Sequence, residues 1–243
     1  MGAGPCARPP VSHLASLLLG GGTINKATGK LLTLLKNNAD ADKAVAMSAY
    51  MKDRFPFYGI NKPERSALSN DCLKASKNWE TKDLLATVYQ LYEQPERECH
   101  YIAIDLLNTN YKRLSYQDIN QIYPLIDRKA WWDSVDGIRK PISLWVKDHG
   151  EYMDEVMTAL LAAESMWQRR VALTLQLRWK EQTDSQWLEQ AIVQNIHDQE
   201  FFIQKAIGWA LRDYSRTNPG WVRNIIALHS FSSLAVREGS KYL

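Results

Sequence analysis

The chain has 243 residues, 45% of them hydrophobic and 23% charged, and its net charge is +3. It can bury a full core without staples, and its balance excludes a wholly disordered or uniformly basic protein. No apolar run reaches membrane-spanning length, and Cys6, Cys72 and Cys99 form neither a disulfide framework nor a zinc pattern, which suits a cytoplasmic, reducing compartment with no membrane partner. The five histidines, at 13, 100, 149, 197 and 229, have no metal-ligand spacing and read as surface or capping residues.

Residues 1–30 read as a disordered leader. The first 23 are rich in Gly and Pro, and the Leu14–Leu19 patch is short for a signal peptide, with only Arg8 and His13 before it. From 31 to 243 apolar residues recur at three- and four-residue spacing with little strand-like alternation, which predicts a single all-α domain. Turn signals fall at Gly59-Ile60-Asn61-Lys62-Pro63, Gln94-Pro95, Tyr123-Pro124, His149-Gly150 and Asn218-Pro219-Gly220. Helices of about 10 to 18 residues fit between them.

A repeat runs through these helices. Trp131-Trp132, Met166-Trp167 and Phe201-Phe202 are separated by 35 residues and then 35 again, and each pair opens a predicted helix. Glu96 to Ala103 is a weaker copy one period earlier. Two helices per period of this length predict an α-solenoid of the HEAT or armadillo kind, with one concave face.

The segment Trp131-Trp132-Asp133-Ser134-Val135-Asp136 stands out within the repeat. On a helix, Trp132 and Asp136 are i and i+4 and share a face. A Trp pair is commonly core and an Asp beside it commonly a cap or ion-pair partner. The repeat argues otherwise for Asp136, because the equivalent positions hold Tyr101, Val171 and Ala206. A carboxylate at a packing position has a desolvation cost that the fold does not require.

Basic residues gather towards the C-terminus. From Phe201 onward six bases face two acids, and Lys205, Trp209, Arg212 and Arg216 are spaced for one helix face. Arg169 and Arg170 follow Trp167 in the preceding copy. Interleaved indoles and cations suit a nucleic-acid backbone, although a snorkelling rim around a core stripe gives the same pattern.

Several segments together resemble the AlkD-type DNA alkylpurine glycosylases: Phe55 to Arg65, Trp131 to Asp136, Trp167 to Arg170, Phe201 to Tyr214, Thr217-Asn218-Pro219 and Val236-Arg237-Glu238. The resemblance runs from about residue 35 to the C-terminus. It implies a HEAT-like solenoid that cradles double-stranded DNA containing alkylated purines. It also implies hydrolysis of the N-glycosidic bond of cationic N3- and N7-alkylpurines without flipping the base into a pocket. Motif by motif, the catalytic carboxylate falls on Asp136, the cleft tryptophans on Trp132 and Trp209, the cleft arginine on Arg170 and a cleft tyrosine on Tyr50. Lys62, Arg65, Arg139, Arg169, Lys205, Arg212, Arg216 and Arg237 are the expected DNA-binding cations. No cofactor is expected, and the protein is expected to act as a monomer.

Three departures from that family accompany the match. Ser66 stands where a second arginine is usual, Gly137 where serine is, and the leader has no counterpart. Relatives that bind DNA without chemistry lack the aspartate, which this chain keeps. The alternative reading is a HEAT-like scaffold that grips DNA or a protein without catalysis.

Overall fold

A computed structural model describes residues 26–243. In chain order its helices are α1 (Lys26–Asn37), α2 (Ala41–Tyr50), α3 (Lys62–Ser76), α4 (Thr81–Glu93), α5 (Arg97–Asn110), α6 (Tyr116–Asp127) and α7 (Trp132–Asp148). They continue as α8 (Met153–Leu161), α9 (Met166–Thr174), α10 (Ser185–Asn195), α11 (Phe201–Tyr214), α12 (Pro219–Leu228) and α13 (Ser233–Gly239). No strand occurs among the described residues, so the all-α class stands. No helix among them is long and apolar enough to cross a membrane. The predicted leader lies outside the described residues as far as residue 25, and Lys26 to Lys30 form the start of α1.

Local chemistry sets several helix starts. Asn61 accepts the N–H of Glu64 while Glu64 accepts the N–H of Asn61, a reciprocal cap that opens α3 beside Pro63. Ser115 and Asp118 do the same for α6. One expected break is corrected: Pro124 lies inside α6 rather than between helices. The ring removes one backbone hydrogen bond, but burial of Ile119, Ile122, Leu125 and Ile126 on one face keeps the helix continuous.

The odd-numbered helices form a row in which α1, α3, α5, α7, α9, α11 and α13 pack each against the next. Helices α4, α6, α8, α10 and α12 pack against this row, α4 on α5, α6 on α7, α8 on α9, α10 on α9 and α11, and α12 on α11. Hydrogen bonds cross between successive units at nearly constant sequence offset. Examples are Asn110 Nδ2 to Ser76 Oγ (2.8 Å) and Trp179 Nε1 to Ser143 Oγ (3.0 Å). Between the rows lies one core, with Leu84, Leu91, Ile102, Leu106, Ile138 and Trp145 almost wholly buried. Each such apolar side chain contributes about 1.5–3 kcal/mol.

The α2–α3 loop is tied to α5. Glu98, fully buried, accepts the backbone N–H groups of Tyr58 (3.0 Å), Gly59 (2.9 Å) and Ile60 (3.0 Å). Gly59 adopts φ +85°, and a Cβ there would lie 2.0 Å from the Asp40 carbonyl oxygen. Only glycine fits this crossing, which holds the start of α2 against the loop.

Candidate active site and DNA-facing surface

Lys129 turns the chain into α7 through a left-handed backbone (φ +49°), and its ammonium donates to the carbonyls of Glu93 (3.0 Å) and Gln94 at the end of α4. The two carboxylates of the Trp131 to Asp136 segment then part. Asp133 meets Arg97 of α5 in a bidentate pair, Nη2 to Oδ1 at 2.7 Å and Nε to Oδ2 at 2.9 Å, and accepts the Tyr101 hydroxyl at 2.6 Å. Burial pushes this carboxyl up, but Arg97 and Tyr101 outweigh it and hold it below the usual carboxylate range. Arg97 also donates to Ser134 Oγ (2.8 Å) and the Lys129 carbonyl (2.8 Å), and the Phe55 ring covers its guanidinium at 3.9 Å.

His100 corrects the expectation of a surface or capping histidine. It is fully buried, stacked on Tyr92 with ring centroids 5.1 Å apart. Its Nδ1 faces Arg97 Nη1 at 3.2 Å and its Nε2 faces the Gln94 carbonyl at 2.9 Å, which assigns a neutral ring with the proton on Nε2. Burial drives it down to about 4, outweighing the Gln94 hydrogen bond.

Asp136 is held from the other side of α7. Arg170 of α9 donates Nε to Oδ1 and Nη2 to Oδ2, each at 2.9 Å. Its remaining Nη1 donates to the Phe202 carbonyl at the head of α11 (2.7 Å), so one guanidinium joins three successive helices of the row. Arg170 is nearly buried, whereas the Asp136 side chain remains 20% exposed. The departure at Gly137 has a packing reason, since a Cβ there would stand 3.0 Å from Ile104 Cδ1 on α5.

The two tryptophans also diverge. Trp131 joins Trp167 and Phe202, the second residues of the pairs in the next two units, in an aromatic cluster with centroids 5.1 to 6.1 Å apart. Trp132 instead receives Tyr50 edge-on, 6.3 Å between centroids and 78° between planes. Tyr50 ends α2, is 70% exposed, and borders an apolar cleft lined by Met47, Met51, Phe57 and Tyr101. Thus the structure brings together Asp136 with Arg170, and Trp132 with Tyr50. Trp209 lies on α11, half-buried.

The expected DNA-binding cations divide into two groups. Arg169 is engaged within the fold, by Asn195 Oδ1 (3.0 Å), Asp198 (2.7 Å) and the carbonyls of Ala163 and Glu164, so it ties α9 to the loop after α10. Arg65 is buried over the Tyr101 ring, 3.8 Å from Asp105. Arg139 donates to the Thr174 carbonyl (3.2 Å), and burial lowers its pKa against the opposing pull of Asp136. Lys205 and Arg212 reach Glu238 of α13 at 3.1 and 3.2 Å, joined by Lys241 at 3.0 Å. Those contacts, Lys241 and then Lys205 foremost, hold the Glu238 carboxyl down to about 2. Arg216 lies beyond the end of α11, not on it, and covers the Tyr242 ring at 4.0 Å. Lys62 at the start of α3 and Arg237 on α13 are exposed.

Sequence reading missed Arg97, Glu98 and Glu238. Arg97 and Asp133 are one repeat apart, as are Asp136 and Arg170, so the repeat offset carries a signal for such pairs. Glu98 looks like an ordinary first-turn acid, and only the fold brings the 58–60 backbone to it.

Comparison with known proteins follows from this geometry. The family model for "DNA alkylation repair enzyme" matches residues 31–243. The chain is similar to a solved structure described as "Predicted DNA alkylation repair enzyme from Enterococcus faecalis", at 45% identity and TM-score 0.83, over 84% of this chain and 96% of that one. It also shares its fold with smu.31 from Streptococcus mutans UA159, at 14% identity and TM-score 0.64, over 90% of this chain and 100% of that one. No curated protein matches. With a family model spanning nearly the whole described chain, this protein belongs to the DNA alkylation repair enzyme family.

Proposed function

We propose that this protein is a DNA glycosylase that hydrolyses the N-glycosidic bond of N7- and N3-alkylated purines in double-stranded DNA. We place it in the cytoplasm as a monomer, with residues 31–243 as its single working domain. The observation that carries this is Asp136, clasped through both oxygens by Arg170 yet still open to solvent on the helix face it shares with Trp132.

The chemistry follows from the lesion. An N7- or N3-alkylated purine is already cationic, so it departs as a neutral base taking the bonding pair, and C1′ becomes oxocarbenium-like. A fixed carboxylate stabilises that charge more in the transition state than in the ground state. Water then adds to C1′ and gives up its proton to the carboxylate or to solvent. Arg170 prevents Asp136 from reorienting as charge develops, because both oxygens and the Phe202 carbonyl fix the guanidinium. Trp132, Tyr50 and Trp209 supply aromatic surface for the deoxyribose, and the exposed cations hold phosphates.

The test is release of free 7-methylguanine from methylated duplex DNA, native protein against Asp136→Asn. A scaffold for DNA or protein would release none in either form.

A further inference from the structure

The turn after α2 lies beside the candidate site and carries strained backbone. Lys52 and Asp53 both adopt left-handed conformations, φ +60° and +54°. The Arg54 N–H closes the turn on the Met51 carbonyl at 3.4 Å, and the Asp53 N–H bonds the Ser48 carbonyl at 2.9 Å. Ser48 Oγ donates to the Phe55 carbonyl at 3.0 Å, which fixes the exit. Non-glycine residues persist in this region only where their surroundings over-determine them, and such places cluster at ligand sites.

The turn straddles the tryptophan pair. On its entry side Tyr50 meets Trp132, and on its exit side Arg54 lies over the Trp131 ring at 4.0 Å. Both cations are exposed. The Lys52 ammonium makes no hydrogen bond or ion pair among the described residues, and the Arg54 guanidinium makes none among them either and meets only that ring. This sets them apart from Arg65, Arg169, Lys205 and Arg212, which all face acids. Asp53, between them, is exposed as well, so the turn carries one net positive charge. The Glu238 cluster of Lys205, Arg212 and Lys241 lies further along the row, on α11, α13 and the residues just after α13. Two cationic surfaces therefore flank α7, which carries Asp136.

We propose that the Met51–Arg54 turn is a phosphate-binding site, in which Lys52 and Arg54 hold the DNA backbone on the α2 side of Asp136. The left-handed turn sets both cations at the edge of the aromatic surface, so a strand that lays a sugar against Trp132 brings a neighbouring phosphate to Lys52. This rests on the glycosylase reading for the identity of the polyanion.

The experiment measures binding of an undamaged duplex by fluorescence anisotropy across a salt series. Lys52→Ala with Arg54→Ala lowers the slope of log affinity against log salt by about two, and weakens binding roughly ten-fold at low salt. Lys52→Gly is the decisive single variant. Glycine suits φ +60°, so its thermal midpoint equals or exceeds that of the native protein while its salt slope drops by about one. Lys36→Ala, an exposed cation at the end of α1, leaves the slope unchanged. The inference is overturned if the Lys52 variants keep the native slope, or if Lys36→Ala lowers it equally. If the native protein shows no salt-dependent DNA binding and releases no alkylated base, the glycosylase reading fails instead, which the same native controls reveal.

Discussion

Arg97 and Asp133 form a bidentate pair sealed inside the protein, with side-chain exposures of 0% and 7%. One unit further along the row, Arg170 and Asp136 repeat the same clasp with the carboxylate on the same helix α7, and there 20% of the aspartate stays open. The pairs are alike in bonding and differ in access. The closed pair serves the fold, and the open pair is the one the proposed chemistry uses.

Asp136→Asn keeps the shape and the Arg170 contact in part, and removes the negative charge. Single-turnover excision of 7-methylguanine falls by roughly ten-fold or more, in the range of one lost electrostatic stabiliser, while duplex affinity changes little. An unchanged excision rate would remove Asp136 from the mechanism.

Asp133→Ala acts through stability. It leaves the Arg97 guanidinium buried and unpaired, which costs about 3–5 kcal/mol. The thermal midpoint drops by roughly 2–4 °C per kcal/mol for a chain of this size. Excision per folded molecule stays near native at low temperature. A normal melting curve combined with lost excision would reverse the roles assigned to the two aspartates.

The His100 ring makes the protein sensitive to mild acid. Its folded pKa, about 4, lies below the ordinary 6.5. Between those values the unfolded chain takes up a proton that the native state refuses, so stability is present above pH 6.5 and declines as pH falls towards 4. The loss reaches about 3 kcal/mol at the low end. Urea midpoints measured from pH 7 to 4.5 report it, and His100→Gln flattens that part of the curve. An equal slope in the variant would assign the sensitivity elsewhere.

Arg237→Ala and Arg169→Ala separate the two kinds of arginine. Arg237 is exposed, and its loss lowers the salt slope of duplex binding by about one on damaged and normal DNA alike. Arg169 bonds Asp198 and Asn195, so its loss lowers the melting temperature and leaves the slope unchanged. A reduced slope in Arg169→Ala would show that its ties open to admit DNA.

On the glycosylase reading, lesions that are already cationic are expected to be the preferred substrates. With no evident acid among the described residues placed to protonate a departing base, the expected outcome is good release of 7-methylguanine and 3-methyladenine and poor release of hypoxanthine or 1,N6-ethenoadenine. Matched oligonucleotides carrying each base make the comparison. Efficient hypoxanthine release would reveal a proton donor.

Much of this architecture was legible in the sequence because the repeat is physical. The pairs at 131, 166 and 201 mark the row of odd helices, since each unit must place its aromatic residues against the next. Asp136 stood out because its equivalents are Tyr101, Val171 and Ala206. Charge was the illegible part. Lys205 and Arg212 look like free cations along the chain, and only the packing of α13 on α11 brings Glu238 to them. That approach depends on Gly208, where a Cβ would stand 2.5 Å from the Glu238 Cβ. Pro124 misled for the opposite reason, since tertiary burial outweighed a local break signal.

Among the described residues helix α7 is the fourth of seven in its row, with three helices on either side. In a stack held by nearest-neighbour contacts, opening begins at the ends of the row and travels inward. The helix that bears Asp136 is therefore the last to be reached from either terminus. By that argument the amide hydrogens of α7 are expected to exchange most slowly, and the clasp on Asp136 to outlive fraying of α1 or α13.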